Sequence, residues 1–143
     1  MRSVAAIALV LPAALAGCGG GSASPQSVVR AWSHALNEGD NDGAAELFAK
    51  NAEVIQGGRT RLLRSHADAV GFNASLPCSG RIVEIKTDGS FATATFVLGD
   101  RPTSPCDAPG QRARAEFQVR NGRIVLWRQL ATVPSPAPQT ASA

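Results

Sequence analysis

The sequence has little of what most catalytic sites are built from. It contains no tyrosine and only two histidines, His34 and His66, and it has neither a Gly-x-Ser-x-Gly motif nor a Cys-x-x-Cys pair. Without a Gly-x-Ser-x-Gly motif there is no serine nucleophile on a strand-to-helix turn, and without a Cys-x-x-Cys pair there are no paired zinc ligands. A relay between His66 and Asp68 is conceivable, but no nucleophile accompanies it. Both histidines are better interpreted as surface residues.

Long apolar runs and a strong net charge are also missing. The apolar segment from Val4 to Leu15 has about a dozen residues, fewer than the ~20 that span a bilayer as a helix. Fourteen Lys and Arg side chains against eleven Asp and Glu give a formal charge of +3. So small an excess argues against a dedicated nucleic-acid binder.

The N-terminus has the features of an export signal. One positive charge at Arg2 precedes the apolar segment, and small residues follow it up to Cys18. The stretch Leu15-Ala16-Gly17-Cys18 resembles the lipobox of bacterial lipoproteins, which implies cleavage before Cys18 and acylation of its thiol. We therefore expect a signal peptide over 1–17, a lipidated tether over 18–24, and a protein anchored outside the cytoplasm in the cell envelope. An ordinary signal peptide with a chance cysteine is the alternative.

The remaining chain divides into one domain and a tail. Residues 132–143 alternate proline with small residues, which cannot build a core and predict a disordered tail. The folded domain is expected over 25–131. Cys78 and Cys106 remain as a pair in an oxidising compartment, so a disulfide is the natural interpretation, with a metal site or a free thiol as weaker alternatives.

Periodicity predicts helices first and strands later. The first helix begins after Ser24-Pro25 and ends near Asn37–Asp40, a shorter one capped by Asp42 runs through Phe48, and a third lies between about Ser65 and Ala74. A short strand covers Glu53 to Gln56. Two hairpins are then predicted, over 81–98 around Asp88-Gly89 and over 112–130 around Asn121-Gly122.

In the first hairpin, reflection through the turn places Arg81 opposite about Phe96. Cys78 is then level with the start of the 99–111 loop, which carries Cys106. The two thiols therefore meet at the open end of this hairpin, which supports the disulfide.

Helices followed by an antiparallel meander predict an α+β fold. The segment from Ala31 to Ala49 (AWSHALNEGDNDGAAELFA) is similar to the opening helices of the nuclear transport factor 2-like superfamily, particularly its SnoaL-like branch. The segment from Phe117 to Ile124 (FQVRNGRI) resembles the last hairpin of the same families. The resemblance implies a cone, in which a curved sheet wraps around the first helix, often with an internal pocket and often dimeric through the outer sheet face.

The resemblance also allows a test for catalysis, because the superfamily includes ketosteroid isomerases, dehydratases, epoxide hydrolases and polyketide cyclases. The tyrosine, base and acid of the isomerases correspond by eye to Trp32, Gln56 and Ala115, none of which can do that work. Strand alternation independently points Glu116 and Glu84 outward, the latter together with Ile82, while Val83 and Ile85 point inward.

We therefore expect a binding domain without evident catalysis, which holds a small apolar ligand or a protein partner. The alternatives are a cyclase-, dehydratase- or hydrolase-type enzyme that uses His66, Asp68 or Gln56, and a homodimer formed through an outer face rich in Arg112, Arg114 and Arg120. The expected disulfide joins Cys78 and Cys106. The expected pocket residues are Trp32, Phe48, Gln56, Phe72, Ala113, Ala115, Phe117 and Trp127.

No metal or cofactor is expected. The acidic turn from Glu38 to Gly43 resembles the start of a calcium loop, but its twelfth position is Ala49 rather than a bidentate glutamate. The basic run of Arg59, Arg61 and Arg64 is interpreted as a solvated connection, with an anionic ligand or lipid headgroups as the alternative.

Overall fold

The computed structural model of the protein describes residues 21–132. The predicted signal peptide, the predicted acylation site Cys18 and nearly all of the predicted tail lie outside the described residues. The helices are α1 (Pro25–Asn37), α2 (Asn41–Glu46) and α3 (His66–Ser75). The strands are β1 (Phe48–Gln56), β2 (Arg59–Leu63), β3 (Ser79–Asp88), β4 (Phe91–Gly99), β5 (Arg112–Arg120) and β6 (Arg123–Leu130). In this range no helix is both long and apolar enough to cross a bilayer.

Helix α1 begins where the sequence predicts it. Ser24 is the N-cap, its side chain accepts a hydrogen bond from the Ser27 N–H at 3.2 Å, and Pro25 occupies the first helical position. The buried face carries Val28, Val29, Trp32, Ser33 and Leu36. This spacing of three and four residues lays the helix along the concave side of the sheet.

Helix α2 corrects the predicted second helix in two respects. Its cap is Asp40 rather than Asp42, because the Asp40 carboxylate accepts the Gly43 N–H at 2.8 Å. The helix also ends at Glu46, and Phe48 begins β1, paired with Ile124 of β6. Pairing with a strand from the far end of the chain is not visible in local periodicity, so the helix was predicted too long.

Helix α3 carries a reciprocal capping box. The Ser65 side chain accepts the Asp68 N–H, and the Asp68 carboxylate accepts the Ser65 N–H, both at 3.1 Å. This helix lies close to its predicted bounds. The relay between His66 and Asp68, the less favoured interpretation of these residues, does not form, since Asp68 serves the cap and the His66 ring contacts Asp42 at 2.8 Å instead.

The six strands form one curved sheet in the order β2-β1-β6-β5-β4-β3. Strands β1 and β6 are parallel and the other neighbours are antiparallel. The β5–β6 turn is Asn121-Gly122 as predicted, with both residues at positive φ. Strand β2 was not predicted from the sequence. Only Leu63 of this strand is buried, and an exposed edge strand rich in arginine shows no apolar face.

The first hairpin differs from its predicted register by a turn and a bulge. Asp88 pairs with Phe91, so the turn is Gly89-Ser90 and not Asp88-Gly89, and Arg81 pairs with Val97 rather than Phe96. A bulge at Val83 reverses the side-chain alternation before it. Ile82 therefore packs on the core and Val83 is 37% exposed, the opposite of the prediction.

The core lies between α1, α3 and the concave face of the sheet. Phe117, Ile124 and Val29 are fully buried, and Phe72 is 1% exposed. The inward set predicted for β5, Ala113, Ala115, Phe117 and Val119, points to this core. The α+β prediction, with a curved sheet around the N-terminal helices, is confirmed.

Candidate functional site: a cavity under helix α1

A cavity of about 390 Å³ opens between α1 and the concave face of the sheet. Trp32, Ser33 and Leu36 of α1 form one side. The opposite side is formed by inward residues of four strands, Gln56, Phe96, Leu98, Ala113, Ala115, Trp127 and Gln129. The segment from Leu76 to Gly80 and the loop residues Asp107 and Ala108 complete the rim. The small side chains of Ala113 and Ala115 leave the space that larger residues on β5 would fill.

Five of the eight predicted pocket residues line this cavity: Trp32, Gln56, Ala113, Ala115 and Trp127. The other three do not. Phe72 and Phe117 are buried in the solid core, and Phe48 lies at the other end of the sheet, where its ring packs against Phe72 at 5.8 Å. Aromatic character alone selected these three, and it does not distinguish a cavity wall from the core.

Trp32 is held in one orientation by its neighbours. Its indole Nε1 donates a hydrogen bond to Asn73 Oδ1 at 2.8 Å, and its ring meets Phe117 edge-on at 5.3 Å. Asn73 is itself fully buried and donates to the Ala69 carbonyl at 2.9 Å. The wall formed by Trp32 is therefore preorganised, because its polar atom is already satisfied within the fold.

Trp127 is the opposite case. Its side chain is 5% exposed and packs against Phe72 at 5.1 Å, and its Nε1 has no hydrogen-bond partner among the residues the structure describes. A buried donor without an acceptor costs roughly 1–3 kcal/mol. Nε1 is closed to solvent in the structure, so a ligand oxygen removes that cost only where binding opens the wall at Trp127.

The cavity contains few ionisable groups. Asp107 and Arg114 lie at its edge. Asp107 also lies close to Cys78 and Cys106, a grouping that would suit a metal ion if the thiols were free. The two sulfurs are bonded to each other at 2.06 Å, so neither is a thiolate ligand. The predicted disulfide is confirmed in the structure.

Arg101 fixes the loop that closes the rim. Its guanidinium, 7% exposed, donates to the carbonyls of Asn73 at 2.6 Å and Leu76 at 2.9 Å and to Asn41 Oδ1 at 2.5 Å. Cys106 N–H is held in turn by Asp100 Oδ1 at 2.8 Å. Two anchors, Arg101 and the disulfide, thus tie the 99–111 loop to α3 and to the segment that follows it.

Several of these residues were missed by reasoning from the sequence. Gln129 could have been found, since it is two positions from Trp127 on the inward side of β6. Asp107 and Arg101 lie in an irregular loop that has no periodic pattern. Their positions depend on contacts with distant elements, so only the fold reveals them.

The family comparison agrees with the fold. The model of the SnoaL-like domain family matches residues 29–127, a range that begins within α1 and includes the disulfide and all but the end of β6. No curated protein sequence matches the chain.

Solved structures show the same fold at low sequence identity. A candidate polyketide cyclase from Sinorhizobium meliloti has 20% identity and a TM-score of 0.59, over 73% of this chain and 94% of the other. A candidate ketosteroid isomerase from Kribbella flavida has 17% identity and a TM-score of 0.59, over 83% and 87%. An NTF2-like protein of unknown function from Cytophaga hutchinsonii has 11% identity and a TM-score of 0.63, over 78% and 92%. At these identities the likeness concerns the fold.

Proposed function

The chain belongs to the SnoaL-like domain family, and we propose that within this family it is a membrane-tethered binding domain that holds a small apolar molecule bearing an oxygen acceptor. The single observation that carries the proposal is the largely apolar cavity, whose wall includes Trp127, a residue whose buried indole N–H has no acceptor among residues 21–132. A small number of polar groups in an apolar wall is the usual composition of a ligand site.

The arrangement supports binding better than acid–base catalysis. The residues at the positions of the isomerase tyrosine, base and acid, Trp32, Gln56 and Ala115, all line the cavity. None of the three exchanges a proton near neutral pH. Gln56 and Gln129 can orient a ligand by hydrogen bonding, and the aromatic walls supply contact area.

The tether is the second part of the proposal. Acylation of Cys18 would hold the domain at a membrane outside the cytoplasm, since two or more acyl chains anchor stably. The mass of the N-terminal peptide, released from protein purified out of its host membranes, tests this directly. A peptide that begins at an acylated Cys18 supports the tether, and an unmodified thiol or another start site overturns it.

Binding is expected to change the signal of one tryptophan more than the other. The chain has two tryptophans, Trp32 and Trp127, so an ¹H–¹⁵N spectrum contains two indole signals. With 2-naphthol as the probe, we expect the Trp127 indole proton to shift most, because it gains an acceptor, while Trp32 is already bonded to Asn73. Saturable shifts centred on Trp127 support the proposal, and two unmoved signals at millimolar probe contradict it.

Filling the cavity should weaken this binding. Ala113→Leu places three additional carbons in the wall, and the resulting overpacking of about 1–3 kcal/mol corresponds to roughly fivefold weaker probe binding or more. Arg112→Leu is the matched control, because the neighbouring side chain is exposed on the other face of the same strand. Equal affinity in the two variants would show that the probe binds elsewhere.

An enzyme is the second candidate, favoured by the Asp107 carboxylate at the cavity edge and by structural neighbours named as cyclases and isomerases. If Asp107 removes a proton next to a carbonyl, 2-decalone in D₂O should exchange its α-protons faster with the protein than with buffer, and Asp107→Asn should abolish the difference. Exchange at the buffer rate favours binding alone.

Dimerisation through the outer face stays a prediction, which light scattering tests.

A further inference from the structure

A second concave surface lies at the other end of the sheet. This groove of about 1290 Å³ is bordered by the end of α2 and the start of β1, by Arg64 and the beginning of α3, and by the β5–β6 turn. We call it the tether-end groove. The charged residues of the groove are Glu46, Lys50, Arg64 and Arg123, and Gly122 lies in the turn beside them.

The tether-end groove carries an excess of positive charge. Three cations, Lys50, Arg64 and Arg123, border it with one carboxylate, Glu46, and the His66 ring there contacts Asp42 at 2.8 Å. None of the three cations belongs to an ion pair within residues 21–132, where the pairs that involve Lys or Arg are Lys86–Glu84 and Arg128–Glu116. Arg123 donates one N–H to the Glu46 carbonyl, which leaves its charge uncompensated. The groove is therefore suited to an anionic surface.

The described chain begins beside this groove. Ala23 lies against Gly122, and a Cβ on that glycine would meet Ala23 N at 3.8 Å. Five peptide steps separate Ala23 from Cys18, a span of at most about 18 Å. Attraction between exposed charges extends over about 8 Å at physiological ionic strength. A tether this short keeps the groove near the bilayer surface.

We propose that the tether-end groove docks on the anionic headgroups of the membrane that holds the lipid anchor. The inference rests on the proposed acylation of Cys18 and adds an orientation to it. Helix α1 runs from the groove end toward the cavity, where Ser33 and Leu36 line the wall, and its 13 residues span about 20 Å. The docked domain presents its cavity away from the bilayer, so the ligand enters from the aqueous compartment.

The two lysines of the chain provide an internal comparison. Lys50 borders the groove, whereas Lys86 lies outside it on β3, four strands from β1 though near the same end of the sheet, 75% exposed and 3.3 Å from Glu84. The acylated full-length protein is reconstituted in vesicles of phosphatidylcholine alone or with about one third phosphatidylglycerol. Both lysines are then methylated with formaldehyde and a borane, which are uncharged reagents, and quantified by mass spectrometry.

We expect Lys50 methylation, relative to Lys86, to slow about fivefold or more on the anionic vesicles, since each basic residue near such a surface favours docking by roughly this factor. High salt should remove the effect. Arg64→Gln should reduce the protection several-fold. Arg59→Gln is the matched control, because Arg59 is the first residue of β2, at the end of the strand away from the groove. Arg64 directly follows the last residue of the same strand.

The outcomes separate the groove from the tether. An unchanged Lys50 to Lys86 ratio with acylated Cys18 overturns the groove and leaves the tether standing. Equal loss of protection in Arg59→Gln and Arg64→Gln also overturns it, since net charge would then be sufficient. An N-terminal peptide without acyl chains overturns the tether, while the same ratio, measured with anionic vesicles added to the protein, still decides whether the groove binds them.

Discussion

Replacing Arg101 by methionine is expected to lower the free energy of unfolding by about 3 kcal/mol or more. The substitution roughly keeps the volume of the side chain but removes two charge-assisted hydrogen bonds, at roughly 1.5–3 kcal/mol each. The Leu76 carbonyl loses its donor, and the Asn73 carbonyl keeps only the Leu76 N–H at 3.3 Å. The Asn41 side chain loses its partner as well. For a domain of this size the melting temperature should fall on the order of 12 °C.

Arg101→Lys is the matched control for charge. An ammonium group keeps the positive charge near the last carbonyls of α3 but cannot reproduce the planar fork that reaches three acceptors. We expect a loss between those of the wild type and the methionine variant, measured by urea unfolding with the disulfide intact. A loss below about 1 kcal/mol for Arg101→Met would show that water replaces the guanidinium, and would remove Arg101 as an anchor of the rim.

The effect should not depend on pH near neutrality. Burial lowers the pKa of the Arg101 guanidinium, because desolvation disfavours its charged form. The unfolded chain then binds this proton more tightly than the folded chain does. This contribution opposes folding and is relieved only as the pH rises through the lowered pKa, in the alkaline range where arginine loses its proton. The difference between wild type and Arg101→Met should therefore be constant from about pH 5 to pH 9.

Local signals in the sequence were sufficient for several parts of the fold. Ser24-Pro25 marks the start of α1, Asn121-Gly122 marks the second hairpin turn, and alternation along β5 separates its two faces. Each of these features depends on residues within a few positions of one another. The disulfide could also be predicted from the sequence, since Cys78 and Cys106 flank the same hairpin.

Other parts depend on contacts that no local pattern records. The bulge at Val83 reverses the alternation in β3, and no residue type there announces it. Phe72 and Phe117 are aromatic like Trp32 and Trp127, yet they fill the core because of how α3 and β5 pack. Arg101 looks like any arginine in a polar loop, and only the approach of α2, of α3 and of Leu76 after it gives it three acceptors.

Removing the disulfide is expected to lower the free energy of unfolding by about 3–4 kcal/mol, because the Cys78–Cys106 bond closes a loop with a sequence separation of 28. The double variant Cys78→Ala/Cys106→Ala tests this without a reductant, which would have to reach two cysteines that are each 8% exposed. Cys78 lines the cavity, so weaker binding of 2-naphthol is expected together with the lost stability. Unchanged stability would show that Arg101 alone holds the loop.

Combining this variant with Arg101→Met separates two origins of the stabilisation. If the disulfide acts by restricting the unfolded chain, its loss should be the same with or without Arg101, and the free energies should add. If it acts by holding the folded loop in place, the two anchors share that task, and the combined loss should differ from the sum by about 1 kcal/mol or more. Because Arg101 and Cys106 lie in one loop and attach it to α3 and the segment after it, we expect coupling. The rim of the cavity then behaves as one cooperative unit.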